Sequence, residues 1–288
     1  MAGATIDLGH GRALGYREYG AEDGAPVVNC HGGLVCGLDA APYADAAREL
    51  GVRIVSPDRP GLGDSGGQPG RTTSDWADDV RALLDALGIE QAAVLGWSMG
   101  GQYALACAAR LGGRVSRAVV IAGALPLDDD ATFARLNPMD RRLTRLAQHH
   151  PHVARSVFRT LGEAARHAPD AFAHLTARGA VPEEATAVEA LPDPGIAAAA
   201  AVALAHGDGM VEEYRAWVRP WGFAPEDVAV PTTVWQGDAD ELVPPDWGDE
   251  LARRIPGAQL RLLPGESHFL GYRNQAAVLR DLLGERLG

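Results

Sequence analysis

Short apolar stretches alternate with helical stretches over the first 125 residues, and no other feature of the sequence limits the fold as strongly. The apolar stretches read as strands, and the stretches between them read as helices. Strands that are apolar on both faces and alternate with helices form a mostly parallel sheet with both faces covered. The predicted strands are Arg12–Tyr19, Val27–Cys30, Val52–Val55, Ala92–Leu95 and Val115–Ala122, and the predicted helices are Asp39–Leu50, Thr72–Leu87 and Met99–Arg110.

The pattern changes after Gly123. From Pro126 to about Pro225 the chain is rich in alanine and arginine, and it predicts only short helices. These helices are separated by Pro138, Pro151, Pro169, Pro182, Pro192 and Pro194. Strands return at Thr232–Gln236 and Gln259–Leu263, each followed by a helix, Asp246–Arg254 and Leu270–Leu287. We therefore predict one α/β core from residues 1–125 and 226–288, with residues 126–225 inserted as a helical cap.

Composition limits the partners. The formal net charge is -12, so the surface repels phosphate backbones and anionic lipids, and we expect neither nucleic-acid nor membrane binding. Three cysteines do not make a disulfide framework, and the first residues do not resemble a signal peptide. The longest apolar stretch, Ile196–Ala205, is too short to span a bilayer. A cytoplasmic protein with a small-molecule partner is expected, and the oligomeric state, monomer or homo-oligomer, is left open.

The segment Gly96-Trp97-Ser98-Met99-Gly100 fits the pattern G-x-S-x-G. An apolar strand enters it and a helix leaves it, which is the strand-to-helix turn that exposes a nucleophilic serine. The turn is tight, so glycines are needed where other side chains would collide. The sequence therefore predicts Ser98 as a nucleophile.

A serine hydroxyl needs a base, and the base needs an acid to orient it. Of nine histidines, His268 is the best placed, in the loop between the last predicted strand and the last helix. The acid is expected after the strand Thr232–Gln236, where Asp238, Asp240 and Glu241 all qualify. The acidic run Asp128-Asp129-Asp130 is a rival, which we interpret instead as a solvated hinge.

Acyl transfer also needs two backbone N–H donors for the developing oxyanion. One is expected from Met99, directly after the nucleophile, and the other from the loop His31-Gly32-Gly33-Leu34. Gly33 is the first choice for the second donor and Leu34 is the alternative. We interpret His31 as a brace for this loop.

Four segments in chain order resemble the α/β-hydrolase superfamily, in its capped serine esterase form, and the resemblance covers nearly the whole chain. They are His31-Gly32-Gly33, Asp58–Ser65, Gly96–Gly101, and the late pair of segments Gly237 to Pro244 and Gly265 to His268. The resemblance implies an eight-stranded, mostly parallel sheet with helices on both faces, and a helical cap after the sixth strand. It implies Asp240 as the acid and a structural role for Asp58.

The same resemblance separates this chain from some relatives. Family members that open epoxides or remove halides carry aspartate where Ser98 stands, and proline iminopeptidases have Pro-Gly where Leu34-Val35 stands. Ester or lactone hydrolysis is the favoured activity. Carbon–carbon hydrolysis, thioester cleavage, acyl transfer, cofactor-free perhydrolysis and ligand binding without turnover remain alternatives.

Trp97, Leu34 and Trp217 are the expected pocket residues, although Trp217 is equally suited to hinge packing with Trp221 and Phe223. His149, His150 and His152 have no accompanying carboxylate or cysteine cluster, so we interpret them as a solvated helix end and predict no metal. No cofactor is required by the predicted chemistry.

Overall fold

An eight-stranded sheet forms the centre of the protein in the computed structural model, which describes residues 3–177, 180–191 and 195–285. The strands are β1 (Ala4–Asp7), β2 (Ala13–Gly20), β3 (Ala25–Cys30), β4 (Val52–Pro57), β5 (Ala92–Trp97), β6 (Val115–Ile121), β7 (Thr232–Gly237) and β8 (Gln259–Leu263). Their spatial order is β1-β2-β4-β3-β5-β6-β7-β8. The two pairings of β2 are antiparallel and all other pairings are parallel, so the predicted fold class is confirmed.

Helices flank the sheet in the described part of the chain. They are α1 (Ala44–Glu49), α2 (Trp76–Ala86), α3 (Gly100–Arg110), α4 (Asp130–Arg135), α5 (Pro138–His149), α6 (Pro151–His167), α7 (Pro169–Thr176), α8 (Pro182–Glu189), α9 (Ile196–Ala203), α10 (Asp208–Trp217), α11 (Pro245–Arg254), α12 (Leu270–Arg273) and α13 (Gln275–Leu282). Short 3₁₀ turns occupy Gly37–Tyr43, Gly112–Arg114 and Pro225–Asp227.

The central strands are buried on both faces, as their unbroken apolar sequences require. Val94 in β5 and Val119 and Val120 in β6 are almost completely inaccessible to solvent. Helix α3 packs against β5 and β6, which fixes the start of this helix at the end of β5.

The helices α4 to α10 all lie between β6 and β7 in the chain, and we call them the helical insertion. No strand occurs among its described residues. Pro138, Pro151, Pro169 and Pro182 each open a new helix, because proline has no N–H to lose at the first helical position. Pro192 and Pro194, predicted as further breaks, lie outside the described residues.

Two predicted helices begin differently from the prediction. The segment predicted as the helix Asp39–Leu50 is a 3₁₀ turn containing Pro42, followed by the short helix α1. Helix α2 begins at Trp76, not at Thr72. The backbone N–H and hydroxyl of Thr72 donate instead to the carboxylate of Asp75, which closes a turn before the helix.

The last predicted helix, Leu270–Leu287, is two helices, α12 and α13. The backbone leaves helical geometry at Asn274 (φ -109°, ψ 27°), which separates the two helices, and the Asn274 side chain donates a hydrogen bond of 2.8 Å back to the carbonyl of Leu270, the first residue of α12. Leu287 lies outside the described residues. Strand β1 was not predicted; it is a short, mostly exposed edge strand with little apolar signal.

The parallel strands bring their carboxyl ends to one edge of the sheet. The chain reverses its direction of progress across the sheet between the neighbours β3 and β5, and such a reversal is the usual ligand site in open α/β sheets. The loops that follow β3, β5, β7 and β8 all begin at this edge. No helix in the described ranges is long and apolar enough to cross a membrane.

Candidate active site

Ser98 stands in a strained turn between β5 and α3. Its backbone φ is 53°, a left-handed conformation that side-chain-bearing residues adopt at a cost of roughly 1–3 kcal/mol. The turn needs its glycines: a Cβ on Gly96 would lie 2.5 Å from the carbonyl oxygen of Gly100, and a Cβ on Gly100 would overlap the carbonyl of Cys30. The strain is held by a 2.8 Å hydrogen bond from the Ser98 N–H to the carbonyl of Ile121.

His268 contacts both other residues of the predicted set. Its Nε2 lies 2.9 Å from Oγ of Ser98, and its Nδ1 lies 2.9 Å from Oδ2 of Asp240. The carboxylate of Asp240 can only accept, so Nδ1 carries the proton and donates it, and Nε2 is left to accept the serine hydroxyl. The indole N–H of Trp97 donates to the carbonyl of His268 over 3.0 Å, which holds the backbone beneath the ring.

Burial lowers the pKa of His268, but the charge and hydrogen bond of Asp240 outweigh it, and Asp140 and Glu184 add to their effect. The net result is a pKa above the ordinary value of histidine. A base whose protonated form is stabilised is suited to taking a proton from serine.

Asp240 is fixed as an acceptor by its own loop. Its Oδ1 accepts the backbone N–H groups of Leu242 at 2.8 Å and Val243 at 3.0 Å, and the side chain of Gln236 reaches Oδ2 at 3.2 Å. Burial raises the pKa of Asp240, but His268 and the two N–H donors lower it below the ordinary value. The carboxylate therefore stays ionised.

The rival acids lie elsewhere. Asp238 accepts the backbone N–H of Gly265 at 2.7 Å and stiffens the turn before His268 without reaching the ring. Glu241 is exposed at the cavity wall. In the acidic run near the hinge, Asp129 caps α4 by accepting the N–H groups of Ala131 and Thr132.

The loop after β3 lies against the start of α3. A Cβ on Gly33 would be 3.3 Å from Cε of Met99, so this glycine allows the two chain segments to approach closely. Leu34 has a φ of 59°. Within the described residues, no hydrogen bond occupies the backbone N–H of Gly33, Leu34 or Met99, which leaves all three available to an oxyanion.

His31 braces this loop, as predicted. Its Nδ1 donates to the carbonyl of Gly32 at 2.9 Å, and its Nε2 accepts the backbone N–H of Arg59 at 3.1 Å. Burial and the charge of Arg59 hold the pKa of His31 well below its usual value, so the ring is neutral. Asp39, which the sequence analysis did not single out, accepts the N–H of Gly32 at 3.0 Å.

Arg59 ties the same loop to the helical insertion. Its guanidinium donates to the carbonyl oxygens of His31 and Gly32, and its Nε lies 2.8 Å from the carboxylate of Glu213 on α10. Glu213 also pairs with Arg71, and all three charged side chains are buried. Sequence patterns gave no signal for this network, because its members lie far apart in the chain.

A cavity of about 760 Å³ opens between the sheet edge and the helical insertion. Ser98 and His268 line it, together with the three predicted pocket residues Leu34, Trp97 and Trp217. Most of the remaining wall is apolar, with Leu143, Leu161, Phe172 and Ile196 from the insertion. Trp221 and Phe223 are not part of the wall; their rings pack together with centroids 5.4 Å apart.

Asp140 is a polar exception in this wall. Its Oδ1 accepts the hydroxyl of Tyr214 at 2.7 Å, and its Oδ2 accepts the side chain of Asn137 at 2.7 Å. Burial raises the pKa of Asp140 despite these two hydrogen bonds.

His149, His150 and His152 are exposed at the junction of α5 and α6, and the described residues hold no group of three side chains arranged as metal ligands. Cys36 is buried, and burial raises the pKa of its thiol, which does not suit a nucleophile.

Comparison with known proteins agrees with this architecture. A protein-family model, described as the alpha/beta hydrolase fold, matches residues 25–274 of this chain. An enol-lactonase from Burkholderia xenovorans LB400 superposes with a TM-score of 0.72 at 23% identity, covering 98% of this chain and 100% of the other. An esterase from Exiguobacterium antarcticum gives 0.73 at 17% identity, covering 98% of each chain. At these identities the likeness concerns the fold alone.

A curated relative is similar over a shorter range. A non-heme chloroperoxidase from Streptomyces lividans is 33% identical over 126 residues, which is 43% of this chain and 45% of that protein. This chain therefore aligns with less than half of the length of that relative.

Proposed function

Because the chain belongs to the alpha/beta hydrolase fold family, we propose that it is a serine hydrolase that cleaves a carboxylic ester or lactone through an acyl-enzyme. The observation that carries the proposal is the unbroken line of hydrogen bonds from Ser98 through His268 to Asp240. A serine hydroxyl is a weak nucleophile at neutral pH, and this line gives it a base within hydrogen-bond reach. The esterase and enol-lactonase of the same fold support this class of substrate.

In the first half of the reaction, Nε2 of His268 takes the proton of Ser98 while Oγ attacks the carbonyl carbon. The carbonyl oxygen becomes negative and is stabilised by the N–H of Met99 and a second donor, Gly33 or alternatively Leu34. His268 then gives its proton to the leaving alkoxide as the carbon–oxygen bond breaks. The acyl group remains on Ser98.

In the second half, a water molecule gives a proton to His268 and its oxygen attacks the acyl carbon. The bond to Ser98 breaks, Oγ recovers the proton from His268, and the carboxylic acid leaves. Asp240 remains ionised throughout, holding the ring in the required tautomer and stabilising its charged form.

The substrate is a small, largely apolar molecule. A volume of about 760 Å³ lies within the usual range for small-molecule sites, and the wall is predominantly apolar. In this proposal the helical insertion acts as the cap that excludes water, with Leu34, Trp97 and Trp217 in contact with substrate. The acidic surface does not favour a nucleic acid or an anionic membrane as partner.

A second candidate activity is cofactor-free perhydrolysis, which the name of the chloroperoxidase relative favours. Hydrogen peroxide in place of water would attack the acyl carbon, release a peroxy acid and regenerate Ser98. Production of peracetic acid from acetate and hydrogen peroxide, absent in Ser98→Ala, would identify this activity.

A substrate panel tests the proposal. The purified protein is assayed with p-nitrophenyl esters of increasing acyl length, with γ- and δ-lactones, and with a thioester and a cleavable diketone, beside Ser98→Ala as control. We expect turnover of esters or lactones that Ser98→Ala lacks. Turnover confined to the thioester or diketone would change the substrate class. Tight ligand binding without turnover, unchanged in Ser98→Ala, would identify a receptor and contradict the proposal.

A further inference from the structure

A buried glutamate of the helical insertion binds the chain on both sides of His268. Glu184, on α8, is inaccessible to solvent. Its Oε2 accepts the backbone N–H of Phe269 at 2.7 Å and the hydroxyl of Ser267 at 2.6 Å, and its Oε1 accepts the backbone N–H of Ser267. One carboxylate therefore holds the residue before and the residue after the proposed base.

The contact extends beyond the carboxylate. The backbone N–H of Val181, directly before α8, donates to Oγ of Ser267 at 3.2 Å. Helix α8 also packs against α12, which begins two residues after His268. The histidine loop is thus built partly on the insertion and not only on the sheet.

Burying a carboxylate is costly unless its oxygens are fully hydrogen-bonded, and three donors meet that need here. Two of the three donors are the backbone N–H groups of Ser267 and Phe269, so the chain is held directly before and directly after His268. Hydrogen bonds to an ionised acceptor are about twice as strong as neutral ones, so the loop position is well defined.

We propose that Glu184 is a positioning residue, which sets His268 in hydrogen-bond reach of Ser98 and makes that position depend on the seated helical insertion. The inference rests on the proposed hydrolase function. Glu184 is not itself one of the residues that line the cavity, so it acts through the base and not by contact with the substrate.

The negative charge of Glu184 gives the proposal a second measurable effect, a change in the pKa of His268. Three carboxylates raise the pKa of His268: Asp240 from the loop after β7, which contacts the ring, and Asp140 from α5 and Glu184 from α8, which act through their charge. Near Glu184 lies Glu266, whose carboxylate is paired with Arg273 at 2.8 Å. Replacing Glu184 by glutamine removes one of the three negative charges, so the pKa of His268 falls.

The experiment compares Glu184→Gln with Glu183→Gln, which removes the same charge from the exposed neighbouring position of α8. An activated ester gives kcat, KM and the pH profile of kcat/KM, and a fluorophosphonate gives the labelling rate of Ser98. For Glu184→Gln we expect kcat and the labelling rate to fall by about tenfold to a hundredfold. KM should stay within about twofold, since no wall residue changes. The acid limb of the profile should move to lower pH, and Glu183→Gln should match the wild type.

A folded Glu184→Gln protein with wild-type kcat and an unmoved acid limb would overturn the proposal. A rise in KM at constant kcat would do the same, because it would indicate a role in the binding site. If Glu184→Gln does not fold, Ser267→Ala decides: it removes one of the three bonds to Glu184 and should lower kcat several-fold at constant KM, whereas an unchanged kcat would overturn the proposal. Failure of the hydrolase proposal is distinguishable, since the wild type itself would then neither turn over the ester nor be labelled.

Discussion

The imidazole Nε2 of His268 lies 2.9 Å from Oγ of Ser98, although 170 positions of the chain separate the two residues. The distance arises because the loops after β5 and β8 leave the same edge of a parallel sheet. The site therefore depends on the whole sheet, and its parts can be tested separately.

Replacing Ser98 by alanine should remove turnover without unfolding the protein. The change deletes only Oγ, and alanine is smaller than serine, so the turn has room for it. We expect turnover of an activated ester to fall by roughly three orders of magnitude or more, with an unchanged circular dichroism spectrum. Full activity in a folded Ser98→Ala protein would require a different nucleophile.

Asp240→Asn should cost far more activity than Asp238→Asn. Only Asp240 reaches the ring of His268, at 2.9 Å, and an amide there no longer enforces the tautomer that accepts the serine proton. We expect a loss in kcat on the order of a thousandfold or more for Asp240→Asn, and a loss below about tenfold for Asp238→Asn. The opposite ranking would assign the acid to Asp238.

Activity should decline as the pH is lowered. Burial lowers the pKa of His268, but Asp240, Asp140 and Glu184 raise it to a net value above that of ordinary histidine. The base must be neutral to accept a proton, so kcat/KM should decline as the pH drops through this raised pKa. Asp140→Asn removes one of the raising charges and should shift the decline to lower pH, whereas Glu241→Gln, at the exposed part of the wall, should shift it less. An unmoved decline in Asp140→Asn would contradict the assignment.

Glu213 should contribute to stability through its buried arginines. Glu213→Ala leaves Arg59 and Arg71 without their shared carboxylate, and breaking a buried ion pair typically costs about 3–5 kcal/mol. Urea unfolding should report a loss of this size in the free energy of unfolding. Glu163→Ala, which removes an exposed partner of Arg166, is the matched control and should leave the free energy of unfolding nearly unchanged. Similar losses in the two variants would contradict the role of the network.

The sequence was sufficient to predict the fold class and the residues that meet at the sheet edge, because both leave local marks. A strand, a glycine-framed serine and a helix follow one another within a few residues. The loop that carries His268 is likewise marked by a strand directly before it and a helix directly after it. Asp240 was separable from Asp238 only by the family resemblance. The geometry agrees with it, since Asp238 turns instead to the N–H of Gly265.

The remaining features depend on contacts between distant segments, which no local pattern records. Glu184, Glu213 and Asp140 read in the sequence as ordinary helix-surface acids, and they are significant only because the insertion folds onto the sheet. The predicted last helix divides at Asn274, where the backbone leaves helical geometry (φ -109°, ψ 27°), a local change that the apolar periodicity does not record.

Labelling with a fluorophosphonate probe, followed by mass spectrometry of the peptides, tests the central claim most directly. The probe reacts with a serine only when a neighbouring base activates its hydroxyl. We predict one modified residue, Ser98, with labelling that is lost in Ser98→Ala and strongly slowed in His268→Ala. Modification at a different residue, or no labelling of the folded wild-type protein, would contradict the account.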